Sequence, residues 1–141
     1  MKYSINLLFL FAVLLIVGCG DGRPERVPVS GKVTIDGQPL TTGSVMFISE
    51  TSRPAVGEIQ QDGTFSLFTY EANDGCIPGS YRVSISANES TETSQKNLIP
   101  KKYFDHKTSG LSQEIVGPKS DIVFALEWGG EKPHKETFEK E

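Results

Sequence analysis

The chain has 141 residues with 14 basic and 18 acidic side chains, a formal net charge of -4, and 37% hydrophobic residues that include 8 Phe and 4 Tyr. That supply fills one core but not two and excludes wholesale disorder. It also leaves no basic surplus of the kind a phosphate backbone attracts, so no nucleic-acid partner is expected. Two cysteines can build neither a disulfide scaffold nor a four-thiolate zinc site.

Lys2 precedes an almost wholly apolar run at positions 5–17, I-N-L-L-F-L-F-A-V-L-L-I-V. As a helix this run would reach about 20 Å at ~1.5 Å per residue, short of a hydrocarbon core of ~30 Å. Its length and flanks match the apolar region of a secretory signal. The run closes on Ile16-Val17-Gly18-Cys19, which resembles a bacterial lipobox. The resemblance implies a diacylglyceryl group thioether-linked to Cys19, cleavage just before it, and fatty acylation, as by palmitate, of the new amino terminus. Two or three acyl chains anchor stably where one is marginal, so a membrane is the partner expected of this end. Gly20 stands where an inner-membrane retention signal would carry Asp. That tilts the expectation toward the outer membrane over the inner, with the protein facing the periplasm. Residues 1–18 are read as signal peptide and 19–26 as lipidated N-terminus and short tether. The stretch 20–26 spans at most roughly 25 Å at ~3.3 to 3.6 Å per residue.

From 27 to 128 the dominant period is two. Val29, Val33 and Ile35 alternate with polar residues, and Gly31 takes one inward slot, where it predicts a close backbone approach or a bulge. Tyr81, Val83, Ile85 and Ala87 alternate with Arg82, Ser84, Ser86 and Asn88; Ile122, Phe124, Leu126 and Trp128 repeat the pattern. A further strand is expected over 64–70, and weaker ones over 44–49, 56–60 and 111–116. Asp36-Gly37 and Asp62-Gly63 predict tight hairpin turns, Pro78-Gly79 leads into the Tyr81 strand, and Gly117-Pro118 separates the last two strands. About seven short strands at this spacing predict an all-β, seven-stranded Greek-key β-sandwich over 27–128.

The segment 88–109 is long for a hairpin loop. Leu98, Ile99, Tyr103 and Phe104 are expected to pin its second half to the sandwich, while 89–96 stays mobile. Residues 129–141 mix Glu and Lys without apolar periodicity and predict a disordered charged tail.

Positions 29–47 read V-S-G-K-V-T-I-D-G-Q-P-L-T-T-G-S-V-M-F, positions 57–67 read G-E-I-Q-Q-D-G-T-F-S-L, and positions 77–85 read I-P-G-S-Y-R-V-S-I. In order and spacing these resemble the motifs of carboxypeptidase regulatory-like domains, a transthyretin-like β-sandwich also found alone in small bacterial envelope lipoproteins. Ile99-Pro100, Lys102-Tyr103 and Thr108-Ser109-Gly110-Leu111 resemble the downstream segment of the lipoprotein version. The resemblance covers about 29–126. It implies folding assistance, adhesion or scaffolding, since the regulatory domain carries none of the peptidase's catalytic groups.

No catalytic, cofactor-binding or metal-ligating set emerges from the residues. The chain has two His, His106 and His134, where a zinc-protease helix needs a His pair one turn apart beside a Glu. It lacks a phosphate-binding loop and a nucleophile elbow. Tyr103 and His106 give one local pair for an iron site of the dioxygenase kind, and the second His would have to come from the tail. Cys76 has Asp74 as its nearest charge, the wrong sign for stabilising a thiolate, and reads as a structural thiol. Trp128 could stack on a sugar ring, but as the last inward-phase position of its strand it reads as a core plug. Three functions compete. The first is a non-enzymatic, lipid-anchored envelope domain for binding or structural organisation, its partner an envelope protein or glycan. The second is a carbohydrate- or peptide-binding module using Tyr103, Phe104 and His106 of the 88–109 loop. The third is a metal-dependent enzyme.

Overall fold

The computed structural model describes residues 22–131, 133 and 135–137, and these form an all-β protein. In chain order the strands are β1 Val29–Ile35, β2 Gln38–Pro39, β3 Ser44–Ile48, β4 Ala55–Glu58, β5 Thr64–Ser66, β6 Gly79–Ser86, β7 Asn88–Ser90, β8 Ser94–Asn97, β9 Leu111–Ile115, β10 Lys119–Leu126 and β11 Lys135–Thr137, with a 3-10 turn at Lys101–Phe104.

Two sheets enclose the core. In one, β1 has β10 parallel on one side; β2 and β5 pair antiparallel with its two ends. The other runs β4-β3-β6-β9, antiparallel throughout. The period-two residues do what alternation predicts: Val29, Val33, Val45, Phe47, Tyr81, Val83, Ile85, Ile122, Phe124 and Leu126 are all buried. Phe124 packs face to face with Phe65 of its own sheet and edge-on to Phe47 of the other, both at 6.1 Å between ring centroids. These offset and edge contacts are the arrangements aromatic rings favour, and they join the two layers into one core.

The turns follow from their residues. Asp36 and Gly37 both take positive φ, 47° and 80°, between the paired Ile35 and Gln38, the two-residue hairpin that Asp-Gly favours. At the second Asp-Gly, Gly63 (φ 84°) donates its N–H to the Gln60 carbonyl while Asp62 Oδ1 accepts from Thr64 N at 3.0 Å. Gly31 meets both expectations at once. A Cβ there would stand 2.4 Å from the Ile122 carbonyl oxygen, and the β1–β10 register shifts between Val29 and Gly31.

Several expectations are corrected. The described residues hold eleven strands rather than seven. The strand expected over 64–70 ends at Ser66, with Phe68 adding an isolated bridge to Val56. The region 89–96 is a hairpin of β7 and β8, and Lys135–Thr137, inside the expected disordered tail, pairs with β8 to complete a third sheet. That hairpin is held by backbone pairing and by Thr91, whose Oγ1 accepts from Ser94 N at 3.1 Å. It carries no apolar alternation, so sequence period could not reveal it. Trp128 is half-buried rather than a core plug.

Strand register gives the two core sheets a common polarity. Val29 pairs with Lys119, Ser30 with Ser66, Gly79 with Ile115 and Ile48 with Arg82. One pole therefore collects the segments 22–28, 49–54, 67–78 and 116–118. The opposite pole collects the turns at Asp36-Gly37 and 60–63 and the exit of β10 at Glu127.

Candidate functional site

Ile16, Val17, Gly18 and Cys19, the residues of the lipobox-like motif, lie outside the described residues, as does His134. The tether is described from Gly22 onward. Val27 N donates to the Cys76 carbonyl at 2.8 Å and Cys76 N returns the bond to Val27 O at 3.0 Å. Gly75 (φ 80°) lets these backbones meet, since a Cβ on it would stand 1.9 Å from Val27 O. The stretch just before Val27 lies along the loop 69–75 at the same pole.

Asp74 organises that loop. Its Oδ1 accepts from Thr69 N at 2.7 Å and its Oδ2 from Tyr70 N and Glu71 N, each at 3.2 Å, while Thr69 Oγ1 donates to the Gly75 carbonyl at 2.8 Å. Arg26 Nε stands 3.1 Å from Asp74 Oδ2 with both side chains mostly buried, at 18% and 13% exposure. Burial on its own would raise the Asp74 pKa. The N–H groups of Thr69, Glu71 and Tyr70 and the charge of Arg26 outweigh it and hold the carboxyl below the usual value.

The loop presents Tyr70, and three guanidinium groups converge on its ring. Arg23, Arg26 and Arg53 lie 5.0, 5.2 and 5.0 Å from the ring centroid, and Arg23 also bonds Glu71 Oε1 at 2.9 Å. Each cation over an aromatic face is worth about 0.5–1 kcal/mol at an exposed site. Arg23 and Arg26 dock the tether onto Tyr70, and Arg53 brings the 49–54 segment to the same ring. Sequence reasoning missed this cluster: 20–26 reads as an unpatterned linker, and Arg53 and Tyr70 are distant from it in the chain. The local signal the sequence holds is Asn73-Asp74-Gly75, residue types that favour a turn.

The other candidate residues divide. Leu98 and Phe104 pack against the core and Ile99 and Tyr103 are buried within it, so the second half of 88–109 is pinned as expected. Tyr103 is 7% exposed; its hydroxyl accepts from Glu127 N at 3.3 Å and reaches Glu127 O at 3.5 Å. Phe104 and His106 line an open cleft of about 390 Å³ with Met46 and Ser84, a cleft Tyr103 does not line. His106 Nδ1 lies 3.4 Å from Asp105 Oδ1. The three residues therefore present no common aromatic surface.

Cys76 is a buried free thiol whose pKa burial pushes up to about 11, against a weaker lowering by Tyr81. A protonated, inaccessible sulfur is a poor nucleophile. Among the described residues no three of His, Cys, Asp or Glu gather where a metal ion could be held, and no helix is long and apolar enough to cross a membrane.

No protein-family model matches the sequence, and no curated protein matches it. The crystal structure of a DUF3823 family protein from Parabacteroides merdae is similar to this chain with a TM-score of 0.42 and 16% identity, over 74% of this chain and 47% of that one. The chain thus spans about half the length of that protein.

Proposed function

We propose that the chain is a lipid-anchored, non-enzymatic protein of the cell envelope. In this reading a carboxypeptidase regulatory-like, transthyretin-like Greek-key sandwich is tethered through Cys19 at the periplasmic face of a membrane, the outer over the inner. There it serves binding or structural organisation, with an envelope protein or glycan as partner. The observation that carries the reading is the run of apolar residues closing on Ile16-Val17-Gly18-Cys19, followed so soon by Val27, where the folded domain takes hold. Acyl chains on Cys19 would supply the membrane affinity that the chain's short apolar run cannot supply as a span. The two-layered core and the Asp-Gly turns support the sandwich assignment. The burial of Tyr103 and Cys76 supports structural roles for both over sugar stacking or nucleophilic chemistry.

Metabolic labelling with an alkyne fatty acid tests the reading. The wild-type chain takes up label and sediments with membranes, and Cys19→Ala loses both properties. Label retained in Cys19→Ala overturns the anchor.

A further inference from the structure

The lipid-anchor reading leaves open how the domain sits on its membrane, and the tether contacts bear on that question. Resting on that reading, we infer that the pole carrying Tyr70 and Val116 lies against the lipid bilayer holding Cys19, with the pole of the 36–37 and 60–63 turns held away from it. If Val27 were the first fixed point, the chain from Cys19 could extend roughly 28 Å at ~3.3 to 3.6 Å per residue. The eight residues of β6 span about 26 Å at ~3.3 Å each, so such a tether would let either pole touch the bilayer. Docking of Arg23 on Tyr70 and Glu71 moves the fixed point forward. The chain from Cys19 to Arg23 can then span at most about 14 Å at the same rise, roughly half the distance between the poles. Only the Tyr70 pole can then meet the membrane.

The surface at this pole suits a bilayer interface. Val116 projects from the β9–β10 turn with 87% of its surface exposed, the most exposed large apolar side chain among the described residues. Tyr70 with its arginines lies at the same end, and an exposed apolar side chain, an aromatic ring and long cationic side chains gathered at one pole are the composition that partitions into the headgroup region. Charge does not drive the docking. Arg23, Arg26, Arg53 and Lys119 share the pole with Glu25, Glu50, Glu71, Asp74 and Asp121, so the orientation comes from tether length and persists without anionic lipid.

The test uses the full lipidated chain in phosphatidylcholine–phosphatidylethanolamine vesicles containing a shallow doxyl-lipid quencher. An environment-sensitive nitrobenzoxadiazole probe is placed by Val116→Cys or by Gln61→Cys, both exposed turn positions, with buried Cys76 left unlabelled. The Val116 probe is quenched several-fold more than the Gln61 probe, and Tyr70→Ala narrows the difference. Equal quenching, or stronger quenching at Gln61, in a chain that keeps its fatty-acid label and floats with vesicles overturns the orientation and leaves the anchor standing. A difference unchanged by Tyr70→Ala overturns the part assigned to the ring. Loss of label and flotation together overturns both readings.

Discussion

Gly31 and Ile122 sit so close across the parallel β1–β10 pair that a Cβ on Gly31 would stand 2.4 Å from the Ile122 carbonyl oxygen and 2.8 Å from Phe65 Cζ. Neither the backbone oxygen nor the packed ring can yield cheaply. Gly31→Ala is expected to cost about 1–3 kcal/mol, as overpacking usually does. Gly117→Ala, where nothing lies within 4 Å, is the control and stays within about 0.5 kcal/mol of wild type. Urea unfolding followed through the fluorescence of Trp128, the chain's one tryptophan, separates the two.

Asp74 gives the Tyr70 loop an acid sensitivity. Its folded-state pKa lies below the ordinary value of 3.8, so its contribution to stability is complete above the unfolded pKa and is lost as pH falls through the folded one. Asp74→Ala strands the Thr69, Tyr70 and Glu71 N–H groups and costs about 1–3 kcal/mol at neutral pH. The deficit relative to wild type shrinks as pH is lowered below about 4. Urea midpoints of both chains across that range check the sign. Asp62 and Asp121 are depressed as well, so the difference between the chains, not either curve alone, reports Asp74.

Cys76 is expected to resist modification. In Cys19→Ala it is the one thiol, and it should react with a disulfide reagent orders of magnitude more slowly in the native chain than in urea. Its pKa is raised from 9.0 to about 11, so the folded state keeps a proton that the unfolded state releases above about 9. Stability is therefore full below pH 9 and falls as pH rises toward 11. Tyr81, also raised by burial, acts in the same direction. Thermal melts between pH 8 and 11 detect the loss; a melting temperature flat across that range would contradict the assignment.

Tyr103 is expected to behave as a core residue. Tyr103→Phe loses the bonds to the Glu127 backbone and costs about 0.5–1.5 kcal/mol. Tyr103→Ala empties a buried site and costs about 3–5 kcal/mol. Denaturant titration of the two variants ranks them. A near-neutral Tyr103→Ala would show that the ring lies outside the core.

β1, β6 and β10 are legible in the sequence because each buries one face and wets the other, and an interruption such as Gly31 then stands out against the period. β7, β8 and β11 are not legible, since a hairpin held by Thr91 and backbone pairing leaves no apolar alternation to read. At the candidate site, Asp74 was visible as a charge of the wrong sign for an activated Cys76. Its actual occupation, collecting the N–H groups of the Tyr70 loop, depends on a turn geometry that composition does not specify. Arg23, Arg53 and Tyr70 meet only because the register of the strands brings three separate loops to one pole. Tyr103 carried two readings at once, as an anchor and as a ligand contact, and its burial agrees with the anchor.

The parallel pairing of β1 with β10 also sets an order of events. A polypeptide emerging amino terminus first from a ribosome, or threaded that way through a translocation channel, presents β1 with one flank open until Leu126 has come out. The core is sealed among the last steps of biogenesis, because its longest-range pairing closes the largest loop. A product released short of β10 would keep an uncovered apolar flank, the feature by which chaperones and proteases recognise unfinished chains.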